Sequence, residues 1–321
     1  MTYLEAIADG LREAMRADPS VIVLGEDVAV YGGAFKLTKG LLDEFGDRRV
    51  IDTPISEAGI VGAAVGAALV GLRPVAEMQF ADFISNAFNQ LVNVAATSAY
   101  RAGGCVPLVV RAPCGAGTHG GPFHSQSVEA YFFHAPGLKI VLPSTPQDAK
   151  GLLLSAIADP NPVLFLEHKA LYRSLRGPVD GGLAFVPLGR AAVRRPGRDV
   201  TVATYGMMAH RSLEAAEAAA RDGVEAEVID LRTLLPLDLE TVAESVARTS
   251  RLLVVHEDRL RGGLGAEIAS YIGEHLFTSL DAPVSRVAAP NTPVPYAPPL
   301  EGAYLPSAGR IREAIVRLAR W

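Results

Sequence analysis

The feature that most constrains the fold is a regular alternation of helical segments and short, apolar, β-rich segments along the 321-residue chain. A helical pattern from Leu4 to Arg16 is followed by the strand-like runs VIVLG, RVID, RPVAEMQF, VPLVVRAP, LKIVLP and PVLFLEH, with helical segments between most of them. This order is typical of parallel sheets, because each parallel connection needs a crossover that is usually a helix. The alternation therefore predicts an α/β fold.

The alternation breaks once, over residues 181–198, where Gly, Pro and Arg occur with little periodicity. We interpret this segment as a linker between two parallel-sheet α/β domains, residues 1–180 and residues 199–321. The second domain has the predicted strands DVTVATYG, EAEVIDL, RLLVVHE and VSRVAA and a final helix from about Ser307 to Trp321. The Pro-rich segment before that helix is expected to run irregularly over a surface.

Local signals predict two more helices in the first domain. One runs from about Ile84 to Tyr100, and another begins at a cap formed by Ser144 or Thr145. The longest apolar stretch, Gly59 to Leu72, is too short for a membrane-spanning helix, which needs roughly 20 apolar residues. We interpret it as a buried helix.

Composition limits the partners. Hydrophobic residues make up 49% of the chain and the mean hydropathy is +0.23, which predicts an obligate oligomer with apolar surface buried between subunits. The net charge of -5 and the absence of like-charge blocks argue against nucleic acid or a membrane surface as a partner. The N-terminal residues show acids and helical periodicity instead of a secretory signal, so a cytoplasmic location is expected.

Two segments are candidates for chemistry. Glu57 lies where a loop enters a small-residue helix, a position that favours a carboxylate electrostatically and often has no catalytic role. The glycine-rich segment GAGTHGGPFHSQSVEA cannot form a regular element and is typical of a functional loop. It contains His124, and also His119, which we expect to be a solvated loop residue. No phosphate-binding loop GxxxxGK[ST], GxSxG elbow or HExxH pair occurs.

Over nearly its full length, the sequence resembles the β subunit of E1 enzymes in the thiamine-diphosphate-dependent 2-oxo acid dehydrogenase family. The matching segments are VLGEDV (23–28), GGAF (32–35), DTPISEAGIVG (52–62), GLRPVAEMQFADF (71–83), HSQSVEA (124–130), GLKIVLPSTPQDAKGLL (137–153), PVLFLE (162–167), AEVIDLRTLLPLD (226–238) and VPYA (294–297). The resemblance implies a thiamine-pyrimidine-binding first domain and a second domain similar to the C-terminal domain of transketolase.

The resemblance also implies roles for individual residues. Glu57 would hydrogen-bond N1′ of the cofactor's aminopyrimidine ring, and Phe83 would contact that ring. His124 would lie near the substrate and the incoming lipoyl group, where an imidazole can donate to a carboxylate or relay a proton. Some family members hold a structural potassium ion through backbone carbonyls, and the matching positions are Leu108, Ala156, Asp159 and Asn161.

The resemblance implies that this chain is half of an enzyme. The GDG segment that holds the Mg²⁺ and the diphosphate of thiamine diphosphate in this family is absent here. It would lie on a separate E1 α subunit, in an α₂β₂ heterotetramer that decarboxylates a 2-oxo acid and transfers the acyl group to lipoyl groups of the E2 acyltransferase. The second domain would serve dimerisation and E2 docking.

Other interpretations stay open. The chain could be a non-catalytic assembly or docking subunit of such a complex, an acetoin-dehydrogenase-type β subunit, or the latter half of a transketolase-like enzyme. The substrate, pyruvate or a branched-chain 2-oxo acid, is not decided. Phe123 and Val128 depart from the pattern of branched-chain members in the histidine loop.

Overall fold

The protein is described by a computed structural model that covers Met1–Trp321 and divides into two compact units. The first unit comprises Met1–Cys114 and Tyr131–Leu188. The second comprises Gly115–Ala130 and Gly189–Trp321, so the histidine loop belongs to the second unit. None of the helices combines the length and the apolar character that crossing a bilayer requires.

The first part of the chain, up to the predicted linker, is built from short strands and helices. The helices are α1 (Tyr3–Ala17), α2 (Leu41–Phe45), α3 (Glu57–Leu69), α4 (Ser98–Ala102), α5 (Glu129–Phe133), α6 (Pro146–Ala158) and α7 (Leu171–Ser174). The strands are β1 (Val21–Gly25), β2 (Val50–Asp52), β3 (Arg73–Glu77), β4 (Val109–Cys114), β5 (Lys139–Val141) and β6 (Val163–His168). These six strands are parallel, in the order β5-β6-β4-β3-β1-β2.

Burial explains why the first sheet was readable from the sequence. Every residue of β1, β4 and β6 is buried, as expected for a parallel sheet covered on both faces, whose strands are continuous apolar runs. Helix α1 begins with a capping box between Thr2 and Glu5, and Thr145 caps α6, with Pro146 in its first turn. The predicted parallel α/β fold is confirmed for this unit.

The helix predicted from about Ile84 to Tyr100 is wrong as a single element. The structure has a 3-10 helix (Ala81–Ala87), a π-helix (Asn89–Ala95) and then the short α4. The Thr97 hydroxyl donates to the Asn93 carbonyl at 2.6 Å, a side-chain bond that bends helices and competes with regular backbone pairing.

The second unit contains a mostly parallel sheet with helices. The strands of this unit are β7 (Ala192–Arg195), β8 (Val200–Thr204), β9 (Ala226–Asp230), β10 (Thr233–Leu235), β11 (Leu252–Arg259) and β12 (Ser285–Ala289), of which β10 is not part of that sheet. Its helices are α8 (Met207–Ala220), α9 (Leu239–Thr249), α10 (Gly265–His275), α11 (Pro298–Tyr304) and α12 (Ala308–Ala319). Five strands form the order β12-β11-β8-β9-β7, and only β7 is antiparallel to its neighbour. The second α/β domain is thus confirmed as a fold.

Two local predictions differ from the structure of this unit. Residues 181–198, interpreted as a linker, contain strand β7, whose Arg194 pairs with buried Asp230 on β9 at 2.9 Å. The Pro-rich segment is irregular over residues 290–297, as expected, but it ends in helix α11, because proline at the first helical positions lacks only an N–H that has no helical acceptor anyway. The functional division at residues 1–180 and 199–321 stays a prediction.

Candidate active site

Glu57 is the first residue of α3, where backbone amides without helical partners favour a negative charge. Its side chain is only 9% exposed, although Ser56 before it is exposed. Glu57 Oε2 accepts a hydrogen bond from Asn86 Nδ2 at 3.2 Å, and we find no hydrogen bond to Oε1. The site therefore holds a buried carboxylate in a fixed orientation, with one oxygen available to a ligand.

A second acid, Glu26, lies beside Glu57. It follows β1 directly, at the carboxyl end of a parallel strand, where open α/β sheets bind ligands. Burial raises the pKa of Glu26, and the negative charge of Glu57 raises it further. The shift favours the protonated form, in which a carboxyl group can donate a hydrogen bond to an acceptor. Our sequence analysis missed Glu26, although its place at the end of VIVLG was a usable signal.

Phe83 lies in the 3-10 helix that also carries Asn86. Residues three apart in a 3-10 helix lie above one another on the same side, so one short segment positions both the aromatic ring and the donor to Glu57. The Phe83 ring meets Phe80 edge-on, with centroids 6.1 Å apart, and Phe80 meets Phe35 in the same way at 5.8 Å. Glu57 and Phe83 are therefore brought together on contacting elements of the first unit.

His124 lies in the second unit and directly follows a short 3-10 helix (Gly121–Phe123). Its side chain is partly exposed, and the flanking residue Ser125 is buried. His119, which we expected to be solvated, has a partner: its Nδ1 lies 2.7 Å from Glu301 Oε2. The His119 side chain is nevertheless 52% exposed, as expected for a solvated loop residue, whereas Glu301 is a buried carboxylate of the Pro-rich segment.

The four potassium candidates lie at the end of α6 and at neighbouring strands. The Leu108 carbonyl accepts from Val163 N at 2.8 Å, and the Ala156 carbonyl accepts from Asp159 N at 3.3 Å. Arg73 donates to the Asp159 carbonyl at 3.4 Å, and Lys139 pairs with the Asp159 side chain. Two cationic side chains thus already contact this segment. The assignment of Leu108, Ala156, Asp159 and Asn161 to a potassium ion stays a prediction.

No group of three or more His, Cys, Asp or Glu side chains is arranged to hold a metal ion. What the first unit does present is a carboxylate with one open oxygen, a neighbouring acid whose pKa is raised, and a ring beside them. This set suits a planar, nitrogen-containing ring, because the carboxylate can bind a ring nitrogen or its proton while an aromatic side chain packs against the ring.

Two family models together match most of the chain. Residues 1–174 match the transketolase pyrimidine-binding domain, and residues 189–311 match the transketolase C-terminal domain. Both matched segments correspond to the α/β folds described above, one in each part of the chain.

Full-length relatives are also found. The 2-oxoisovalerate dehydrogenase subunit beta of Bacillus subtilis is 48% identical, over 100% of this chain and 99% of the relative. The acetoin:2,6-dichlorophenolindophenol oxidoreductase subunit beta of Cupriavidus necator is 47% identical, over 96% of this chain and 94% of the relative. The pyruvate dehydrogenase E1 component subunit beta of Bacillus subtilis is 46% identical, with coverages of 96% and 95%.

A solved structure described as a split-gene transketolase, an inactive beta4 tetramer, aligns with a TM-score of 0.82 at 24% identity, over 100% of this chain and 98% of that one. At this identity the likeness supports the fold alone. The full-length relatives go further, and together with the two matched domains they show that the chain belongs to the family of 2-oxo acid dehydrogenase E1 β subunits.

Proposed function

We propose that this chain, together with an E1 α subunit, decarboxylates a 2-oxo acid on thiamine diphosphate and passes the acyl group to lipoyl groups of an E2 acyltransferase. The observation that carries the proposal is the buried carboxylate of Glu57, fixed by Asn86 at the start of α3 with one oxygen open. A subunit that only docked partners would have no need to keep an oriented, partly desolvated carboxylate beside an aromatic ring.

Thiamine diphosphate, when bound, supplies the carbanion stabilisation that the decarboxylation of 2-oxo acids requires. In the proposal, Glu57 binds N1′ of the aminopyrimidine ring and holds a proton there. Phe83 packs against the ring, and Asn86 keeps the Glu57 carboxylate oriented. His124 donates to the substrate or to the incoming lipoyl group.

The chain lacks a GDG segment, so in this proposal the Mg²⁺ and the diphosphate are held by the α subunit of an α₂β₂ heterotetramer. Exposed apolar residues near Glu57 support a protein partner: Val30 is 85% exposed and Ile55 is 83% exposed. Both follow strand ends, and Asp52 ties the first loop down by accepting from Ala29 N at 2.7 Å. The structural potassium ion and a cytoplasmic location stay predictions.

The proposal is tested with the co-expressed α/β pair and a dye as electron acceptor. Glu57→Gln keeps the size of the side chain but cannot hold the proton, so we expect kcat to fall by about 10²-fold or more. The control Glu217→Gln changes an exposed glutamate on α8 and should leave activity unchanged. Full activity of Glu57→Gln in a correctly assembled pair would refute the role of Glu57, and with it the catalytic proposal.

The substrate is to be identified in the same assay. Relatives named for 2-oxoisovalerate, acetoin and pyruvate differ by only two percentage points in identity to this chain, 48%, 47% and 46%, so similarity does not select among them. Pyruvate, branched-chain 2-oxo acids and acetoin should be compared by kcat/KM. A methylene group more or less changes binding in an apolar pocket by roughly 1–3 kcal/mol, so ratios of about 10-fold or more are expected.

A further inference from the structure

The loop that carries His124 has an unusual backbone. Gly115, Gly117 and Gly121 adopt positive φ angles, which glycine tolerates, but His119 also has φ of 61°. A left-handed backbone is disfavoured for residues with a Cβ atom, and it persists where the surroundings determine it. Something in the second unit must therefore hold the loop at His119.

Glu301 on helix α11 contacts His119 twice. Its Oε1 accepts from the His119 backbone N at 3.2 Å, and its Oε2 lies 2.7 Å from His119 Nδ1. The Glu301 side chain is 2% exposed, whereas the imidazole is 52% exposed. A carboxylate this buried requires partners, and the two contacts on His119 both satisfy Glu301 and fix the backbone of the loop.

The residues between His119 and His124 leave little room for adjustment. A Cβ atom on Gly121 would lie 2.3 Å from Cε1 of Tyr296, in the same Pro-rich segment as Glu301. A Cβ atom on Gly120 would lie 2.8 Å from the Cβ atom of His124. Because the backbone is packed this closely on both sides, a shift at His119 must be transmitted to His124.

Other contacts tie down the ends of the loop. Ala116 N donates to Glu257 Oε1 at 2.6 Å, and Arg259 donates to Gln126 Oε1 at 3.2 Å. Glu257 and Arg259 both lie on β11. Between these two anchors, the Glu301 carboxylate contacts the loop at His119.

We propose that Glu301 is a positioning residue for His124, acting by clamping His119 through its backbone N–H and its imidazole. This proposal rests on the proposed function, in which His124 faces the substrate or the lipoyl group. The Pro-rich segment is then more than a surface connection. Its helix α11 supplies the Glu301 carboxylate, and its Tyr296 ring packs over Gly121.

The experiment is a double-mutant cycle in the assembled α/β pair, with Glu301→Ala, His124→Ala and the two together. Glu301→Ala should lower kcat at least tenfold, because displacing a reacting group by about 1 Å can cost about 10²-fold. In the His124→Ala background the same change should cost less than twofold, since the group it positions is absent. Glu301→Gln should recover part of the activity, because its amide oxygen still accepts from His119 N–H.

Three controls make the result interpretable. Glu274→Gln, an exposed glutamate on α10, should have no effect, and thermal unfolding should show that each pair is folded. If Glu301→Ala does not fold, His119→Ala removes the imidazole from a half-exposed position and should give the same pattern with a smaller loss.

The outcomes separate this proposal from the function on which it rests. The clamp is overturned if Glu301→Ala lowers kcat by the same factor in the His124→Ala background as in the wild type. It is also overturned if a folded Glu301→Ala variant loses no activity. The proposed function stands in both cases. Full activity of His124→Ala would instead remove the role of His124 and, with it, the reason for the clamp.

Discussion

Each unit contains a cluster of buried carboxyl groups, one around Arg111 and one around Glu129, and the two clusters neutralise their carboxyl groups differently. In the first unit, Arg111 is 1% exposed and forms ion pairs with Glu77 on the neighbouring strand β3 and with Glu167 on β6. The Tyr172 hydroxyl donates a hydrogen bond to Glu167 Oε2 at 2.5 Å. In the second unit, Glu129 accepts from the neutral Tyr205 hydroxyl at 2.8 Å, and its other oxygen is buried without a partner.

The pKa shifts reflect this difference. Burial works against a charge on Arg111, but Glu167 and Glu77 outweigh it and raise the Arg111 pKa, so the guanidinium stays charged. Burial raises the pKa of Glu129 to about 8, with a further contribution from Asp258, whose pKa is itself raised by burial. The cluster around Arg111 thus compensates its buried carboxylates with a cation, and the cluster around Glu129 compensates them with protons.

The largest expected effect comes from removing the cation. Arg111→Met would leave Glu77 and Glu167 buried with no positive partner, so we expect a loss of about 3–5 kcal/mol in the free energy of unfolding. Urea denaturation measures it, with the exposed Arg48→Met as the matched control. The loss should shrink as the pH is lowered, because burial raises the pKa of Glu77 and protonation removes its uncompensated charge. A loss below about 1 kcal/mol at pH 7 would show that the carboxylates do not depend on Arg111.

Glu129→Gln tests whether Glu129 is protonated in the folded protein. Between its ordinary pKa of 4.5 and its folded value of about 8, Glu129 holds a proton that the unfolded chain does not, so stability falls as pH rises through this window. Glutamine cannot ionise. The variant should therefore lose less stability between pH 5 and pH 8.5 than the wild type. A residual slope from Asp258 is expected.

Urea denaturation at pH 5, 6.5 and 8.5 gives these slopes, and Glu217→Gln is the control that should keep the slope of the wild type. Parallel pH profiles for wild type and Glu129→Gln would mean that Glu129 is ionised in the folded state at neutral pH. The Glu129 cluster would then resemble the Arg111 cluster, and a cation that contacts Glu129 would have to be sought.

The sequence predicted what depends on local periodicity. The strands VIVLG and PVLFLEH are buried at every residue, so they are visible as apolar runs, and Glu57 could be placed at a helix start from the pattern around it. Glu26, Asn86 and Glu301 were not found. Their importance depends on contacts with residues far away in the chain, such as Glu57 to Asn86 and His119 to Glu301, and such contacts leave no local signal.

The smallest effect, and the sharpest comparison, comes from removing one hydroxyl from each network. Tyr205→Phe removes a donor to a carboxyl group that is protonated below pH 8, so about 1 kcal/mol is expected, with the ring still stacked on His256. Tyr172→Phe removes a donor to the carboxylate that pairs with Arg111, and bonds to charged groups contribute roughly 1.5–3 kcal/mol. At pH 6, Tyr172→Phe should therefore lower the free energy of unfolding more than Tyr205→Phe does.

The pH dependence of that difference separates charge from packing. The Tyr205 hydrogen bond lowers the Glu129 pKa, so it is stronger to the ionised form, and Tyr205→Phe should become more costly as pH rises above 8. Tyr172→Phe should show no comparable rise, because Arg111, the cation that pairs with Glu167, keeps its charge across this range. If both costs were equal at pH 6 and neither changed with pH, lost buried volume alone would explain them, and the distinction between compensation by a cation and compensation by protons would fail.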